Sequence, residues 1–254
     1  MKAGRRIVVV IPARWASTRF PGKPLANIAG KPMIQRVYER VSQARDIDEV
    51  LVATDDERIS GAVATFGGRA VLTPSELPSG TDRTAFVARQ LQADILVNVQ
   101  GDEPLIDPAA VEMTANLLLE DETADLSTLA RRVKSVEDLE NPNKVRVVLD
   151  RFGHALYFSR AVIPYLRDVK DSFGRLERFP YLEHIGIYGY RREALFQLTA
   201  LPPSSLEEAE RLEQLRALEN GMTIKVGICD FVSQGVDTPE DAVAVERMIR
   251  EREL

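Results

Sequence analysis

Residues 6–25 read RIVVVIPARWASTRFPGKPL. The first part is an unbroken run of apolar β-formers, the pattern of a strand buried on both faces. The second part is a loop that sets Arg14, Arg19 and Lys23 among Ser, Thr and Pro. The formal net charge is −6, so this local group of cations stands out against an acidic chain. Two readings stay open: a loop that holds a polyanion, and a solvated surface loop. In an α/β sheet the ligand crevice lies beyond the carboxyl ends of the strands, where this loop falls. Several cations there suit a triphosphate, because charge-assisted hydrogen bonds to phosphate are strong. Gly22-Lys23 is not a P-loop, since the first glycine and the following Ser or Thr are missing, and no G-x-G-x-x-G is present.

Outward from this stretch, apolar runs alternate with helical periods. In PMIQRVYERVSQA, Met33, Val37 and Val41 repeat at helical spacing, with Pro32 in the first turn. EVLVAT, RAVLT and DILVNV read as strands, with DERISGAVATFG and TDRTAFVARQLQ as the helices between them. Such alternation predicts a Rossmann-like α/β fold, a mostly parallel central sheet with helices on both faces. The later strands VRVVLD, HALYFS and HIGIYGYR have fewer helices between them and suggest a smaller β-rich insertion. The polar stretch 167–180 reads as a loop. SLEEAERLEQLRALENG, residues 205–221, reads as one helix with a Ser205–Glu208 capping box and a stop at Gly221. TIKVGICDF reads as a strand, and Thr238 and Asp241 cap a last helix. The 254 residues are expected to form one domain, with a Rossmann-like half of about residues 1–120 and a more mixed half of about 121–254.

Hydrophobic residues at 44% and charged residues at 28% are ordinary for a globular protein, and the acidic balance argues against binding nucleic acid by bulk charge. A single cysteine excludes an internal disulfide and a Cys-rich zinc site. The short apolar run at the start suits a strand better than a signal peptide, and no apolar stretch is long enough to span a membrane. A cytoplasmic location is expected.

Further candidates lie at strand ends. ILVNVQGDEPLIDP turns polar at Gln100, placing Asp102 past the end of a central strand. If bound phosphates lie nearby, a divalent cation must screen this carboxylate, and Mg²⁺ takes one or two protein carboxylates with phosphate oxygens and water. Glu103 reads as a turn residue before the helix capped by Asp107. Asp237, in GVDTPED, is a second acidic residue, and spacing alone cannot pair it with Asp102. Ser79 and Gly80 precede a helix and either offer backbone N–H groups to a ligand or simply cap it. Glu213 shares a helical line with Leu206, Ala209 and Ala217, which points to an ion pair or to a substrate contact. His184 is either held in place by hydrogen bonds or functional.

Taken in order, IPARWASTRFPGKPL, NVQGDEP, LYFSRAVIPY, HIGIYGYR, LEQLRALE and GVDTPED resemble the 3-deoxy-manno-octulosonate (Kdo) cytidylyltransferases over essentially the whole chain. The resemblance implies a nucleotide-diphospho-sugar transferase fold, a homodimer, Mg²⁺, and transfer of CMP from CTP to Kdo for lipopolysaccharide biosynthesis. It makes the half of about residues 1–120 the nucleotide-binding half and that of about 121–254 the sugar-binding and dimerisation half. It assigns Arg14, Ser17 and Lys23 to the triphosphate and Ser79, Gly80 and Gln100 to the nucleotide. Asp102 and Asp237 become the metal carboxylates. Arg160, His184, Tyr188, Glu213 and Gln214 line the sugar pocket. Arg14, Lys23, Asp102 and Asp237 are the expected catalytic set. Leu77 and Glu183 depart from the family pattern, where His and Arg are common. They keep 8-amino-3,8-dideoxy-manno-octulosonate, or another acid sugar, as the alternative substrate.

Overall fold

From Ile7 to Ile11 every residue of the first strand is fully buried, as a doubly covered strand requires. The computed structural model describes residues 4–16, 20–232 and 234–253. The chain divides into two units, Met1–Ala115 with Ser233–Leu254, and Asn116–Val232. The expected second half ran to the end of the chain; residues after 232 instead belong to the first unit.

The first unit begins with β1 (Ile7–Ala13), a 3-10 turn at Lys23–Leu25, the short pair β2 (Asn27–Ile28) and β3 (Lys31–Pro32), and α1 (Met33–Val41). Pro32 is the residue before the helix, not part of its first turn as expected. β4 (Glu49–Thr54), α2 (Glu57–Thr65), β5 (Ala70–Leu72), α3 (Gly80–Ala88), β6 (Ile95–Asn98) and the start of α4 (Pro108–Glu120) follow. The strands stand in the order β6-β1-β4-β5, all parallel. The chain therefore winds outward from β1 through β4 to β5, then crosses to the other flank of β1. That reversal between β1 and β6 is a topological switch point, and the loops leaving both strands open on the same crevice.

The second unit contains β7 (Leu126–Arg132), α5 (Val136–Glu140), β8 (Arg146–Leu149), β9 (Ala155–Ser159), α6 (Ser172–Arg178), β10 (Leu182–Arg191), α7 (Arg192–Ala200), α8 (Ser205–Glu210), α9 (Gln214–Glu219) and β11 (Ile224–Ile228). β7 pairs antiparallel with β10 and parallel with β11, while the β8–β9 hairpin joins through β8 to β10. Of the three strands expected in a β-rich insertion, VRVVLD and HALYFS form this hairpin, while HIGIYGYR is β10, paired with β7. The chain then returns to the first unit with α10 (Pro239–Glu253), whose Ala242, Val245 and Ile249 bury against Ile28, Met33 and Val236. Among the described residues no helix is long and apolar enough to cross a membrane.

Two expectations fail in the second unit. The stretch 167–180 carries a helix, α6, capped by Asp171, which accepts the Gly174 N–H at 2.8 Å. Its Leu176 packs on the Val133, Leu139 and Tyr181 cluster. The expected helix 205–221 is two helices broken at Arg211, whose φ of 54° and ψ of 48° are left-handed. Glu219 accepts from Ser205 Oγ at 2.8 Å and Leu206 N at 2.9 Å. In one straight helix those groups would stand roughly 20 Å apart, so the bonds require α9 to fold back on α8. The capping box is Ser204 with Glu207, one residue earlier than expected.

Candidate active site

Beyond the carboxyl ends of β1 and β6 the first unit opens a cleft of about 520 Å³, lined by Arg14, Lys23, Gly80, Gln100, Asp102 and Asp237, among others. Parallel pairing sets Val10 opposite Asn98, so the loops after each strand leave side by side. Their backbones nearly touch: a Cβ on Gly101 would lie 2.5 Å from the Pro12 carbonyl oxygen, so only glycine fits. Asp237 is brought in by Val236, whose N–H donates to the Asp102 carbonyl at 2.9 Å. Asp241 caps the start of α10 by accepting from the Asp237 and Thr238 N–H groups. These bonds, Asp237 N–H foremost, hold the Asp241 carboxyl below its ordinary range.

At the centre of the cleft, Lys23 Nζ donates to Asp102 Oδ2 at 2.7 Å and to Asp237 Oδ1 at 3.2 Å. Two carboxylates thus converge on one cationic point. Gly22 turns the chain into Lys23 with φ of 70° and lies against the indole of Trp15, and the Arg58 guanidinium lies 3.3 Å from the centroid of that ring. The backbone N–H of Trp15 donates to Asp55 at 3.4 Å, and Asp55 also receives Arg83 Nη2 at 2.9 Å. Arg83 lines the cleft although its side chain is wholly buried, and it also bonds Thr73 Oγ1 and the Pro74 carbonyl. Ser79 is occupied by its own helix: its Oγ accepts from Asp82 N at 3.1 Å and donates to Asp82 Oδ2 at 2.7 Å. Ser17 and Arg19 lie outside the described residues.

The second unit holds another polar group. His184, on β10, stands between Phe158 and Tyr188, with ring centroids 5.0 and 5.3 Å away. Four residues along an extended strand span about 13 Å. A bulge between Ile185 and Tyr188 roughly halves that separation, setting His184 opposite Ala130 and Tyr188 opposite Thr128, two residues apart on β7. Burial depresses the His184 imidazole to about 3. Burial first, then Tyr190 and the Glu213 carboxylate, raise the Tyr188 phenol, which places Glu213 within electrostatic reach of it. Gln214 is 5% exposed, and its Nε2 is buried without a hydrogen-bond partner among the described residues. Arg160 follows β9 and is steered by two carbonyls, Glu210 at 2.8 Å to Nε and Pro142 at 3.1 Å to Nη1. Glu213 is the residue before α9, beyond the break at Arg211, so the predicted line through Leu206, Ala209 and Ala217 does not exist.

A family model described as cytidylyltransferase matches residues 8–224. The chain belongs to the cytidylyltransferase family. The 3-deoxy-manno-octulosonate cytidylyltransferase of Geotalea daltonii is 52% identical over 251 residues, 97% of this chain and 99% of that one. Its counterpart from Geobacter sulfurreducens is 51% identical over 239 residues, 92% and 96% of the two chains. A solved structure of CMP:2-keto-3-deoxy-manno-octonic acid synthetase complexed with CTP matches with a TM-score of 0.91 at 43% identity, over 97% of this chain and 99% of that one.

Of the residues assigned by resemblance, this cytidylyltransferase brings Arg14, Lys23, Gly80, Gln100, Asp102 and Asp237 to one cleft, and His184, Tyr188 and Glu213 to one neighbourhood of the second unit. The departure at Glu183 is absorbed by an ion pair, since Arg131 Nη2 lies 2.7 Å from its carboxylate. Leu77 is half-buried in the loop before α3. The buried Arg83–Asp55 pair behind the cleft went unread as part of a site. Its only signal was a basic residue in the first turn of a helix and an acidic one just past an apolar strand.

Proposed function

We propose that this cytidylyltransferase transfers CMP from CTP to the anomeric hydroxyl of Kdo, releasing pyrophosphate and supplying activated sugar for lipopolysaccharide synthesis. The observation that carries the assignment is the convergence of Asp102 and Asp237 on the Lys23 ammonium inside a nucleotide-sized cleft at the switch point. Hard oxygen donors aimed at a single position fit Mg²⁺, which needs few protein carboxylates. When bound there, the ion supplies charge neutralisation at the α-phosphate and acidifies the attacking hydroxyl.

The chain's own groups account for the rest. Arg14 and Lys23 stabilise the charge that grows on the departing pyrophosphate, and nucleotidyl transfer depends mainly on such positioning and electrostatics. The sugar oxygen bonds to the α-phosphorus in line with the breaking bond to the β-phosphate, and its proton leaves to solvent; no side chain is assigned as base. Arg160, His184, Tyr188, Glu213 and Gln214 hold the acid sugar, and the unpartnered Gln214 amide is suited to receiving one of its oxygens. The protein acts in the cytoplasm as a homodimer.

Pyrophosphate release with CTP and Mg²⁺ tests the assignment. Kdo is expected to support turnover, and the 8-amino sugar and sialic acid are expected to fall well below it. Turnover with the 8-amino sugar alone would replace the substrate, and CTP binding without pyrophosphate release would replace the enzyme with a nucleotide sensor.

A further inference from the structure

Thr128 sits on β7 beneath the β10 bulge with no exposure to solvent. Its Oγ1 lies 2.7 Å from the Ile187 carbonyl oxygen, 3.2 Å from that of Ile185 and 2.9 Å from His184 Nε2. A threonine hydroxyl has one proton to give, and carbonyl oxygens only accept. The proton is therefore committed to the carbonyls, with Ile187 the nearer. The contact with His184 then needs its hydrogen from the ring. An imidazole carrying hydrogen on Nε2, and neutral because burial keeps it so, has a bare lone pair on Nδ1. Phe158, edge-on at 77°, and Tyr188 fix the plane of that ring.

We propose that Thr128 is a positioning residue, which locks His184 as the Nε2–H tautomer so that Nδ1 accepts a hydrogen bond from a hydroxyl of the acid sugar. The substrate half of this inference rests on the assignment of the sugar pocket above; the tautomer half does not. The same hydroxyl that spans the bulge also orients the ring, so strand irregularity and hydrogen-bond polarity share one cause. His184 acts here as an acceptor and not as a cation for the sugar carboxylate, which leaves that charge to Arg160.

The tautomer is read directly by long-range proton–nitrogen correlation NMR on the protein labelled with ¹⁵N-histidine. There are two histidines, and His154→Gln identifies the signals. The wild-type protein and Thr128→Ser are expected to show a neutral His184 protonated on Nε2. Thr128→Val, which keeps shape and loses the hydroxyl, is expected to shift the ring toward the other tautomer. It should also raise KM for the sugar about tenfold, the equivalent of one lost hydrogen bond, with KM for CTP unchanged. Thr128→Ser should restore the sugar KM. A wild-type His184 protonated on Nδ1 would overturn the proposal even if the valine variant does not fold. So would a valine variant with wild-type tautomer and sugar KM. A wild-type ring with the expected tautomer in a protein that ignores Kdo supports the role of Thr128 and overturns the substrate assignment instead.

Discussion

Replacing Lys23 with Met removes the one ammonium that separates two carboxylates. At 2.7 and 3.2 Å the bare Coulomb attractions in a water-like medium are about 1.5 and about 1.3 kcal/mol. Asp237 is 50% exposed at its side chain, so desolvation and side-chain ordering cancel much of this, and exposed pairs keep about 0.2–1 kcal/mol each. Lys23→Met should therefore cost about 1 kcal/mol of stability, a fall of about 2–4 °C in melting temperature for a chain of this size. Turnover should fall far more, by about 10²- to 10³-fold, because the donor proposed for the leaving group is lost. The two effects separate through magnesium. At the proposed site the ammonium and the dication would compete for the same oxygens, so Mg²⁺ should raise the melting temperature of Lys23→Met more than that of the wild type. Saturation to 100 times the dissociation constant is worth about 2.7 kcal/mol. Differential scanning fluorimetry across a magnesium titration, with pyrophosphate release on the same samples, measures both. A variant with near-native turnover, or one that gains no more from Mg²⁺ than the wild type does, refutes the reasoning.

Three further outcomes follow from the geometry. Asp55→Asn should destabilise by about 3 kcal/mol, because it strips the partner charge from the wholly buried Arg83; Asp55→Asn with Arg83→Met should recover part of that loss in urea melts. Gly101→Ala forces a methyl group against the Pro12 carbonyl, so it should cost about 1–3 kcal/mol and raise KM for CTP by displacing the ends of β1 and β6. His184 has its folded pKa lowered from 6.5 to about 3, so the unfolded chain binds the extra proton between those values. Its contribution is intact above pH 6.5 and declines as the pH falls toward 3, reaching a loss of up to about 2 kcal/mol at pH 5. Denaturation of wild type and His184→Gln at pH 7 and 5 should show a smaller pH dependence in the variant; equal slopes would remove the claim.

How much of this could be read from letters alone differed by element. β1, β4 and β6 were legible because strands covered on both faces leave an uninterrupted apolar run, and the order of strands and helices followed from it. The meeting of Asp102 with Asp237 was not, since only the return of α10 to the first unit joins them. Periodicity misread residues 205–221 because Glu219 and Ser205 satisfy each other only when the chain doubles back, a long-range bond that no local pattern encodes. The helix at 172–178 was missed because one residue, Leu176, anchors it to a core. Gly186 inside the strand HIGIYGYR was an available sign of the bulge that pairs His184 with Tyr188.

The return of the chain to its first unit has a consequence for biosynthesis. While only residues 1–115 have left the ribosome, a nascent chain carries Lys23 and Asp102 but lacks the second carboxylate. The pair of carboxylates around Lys23 is therefore complete only once residue 237 has been translated and docked. Under the proposed role of Asp237, a chain that terminates before residue 237 should release no pyrophosphate from CTP.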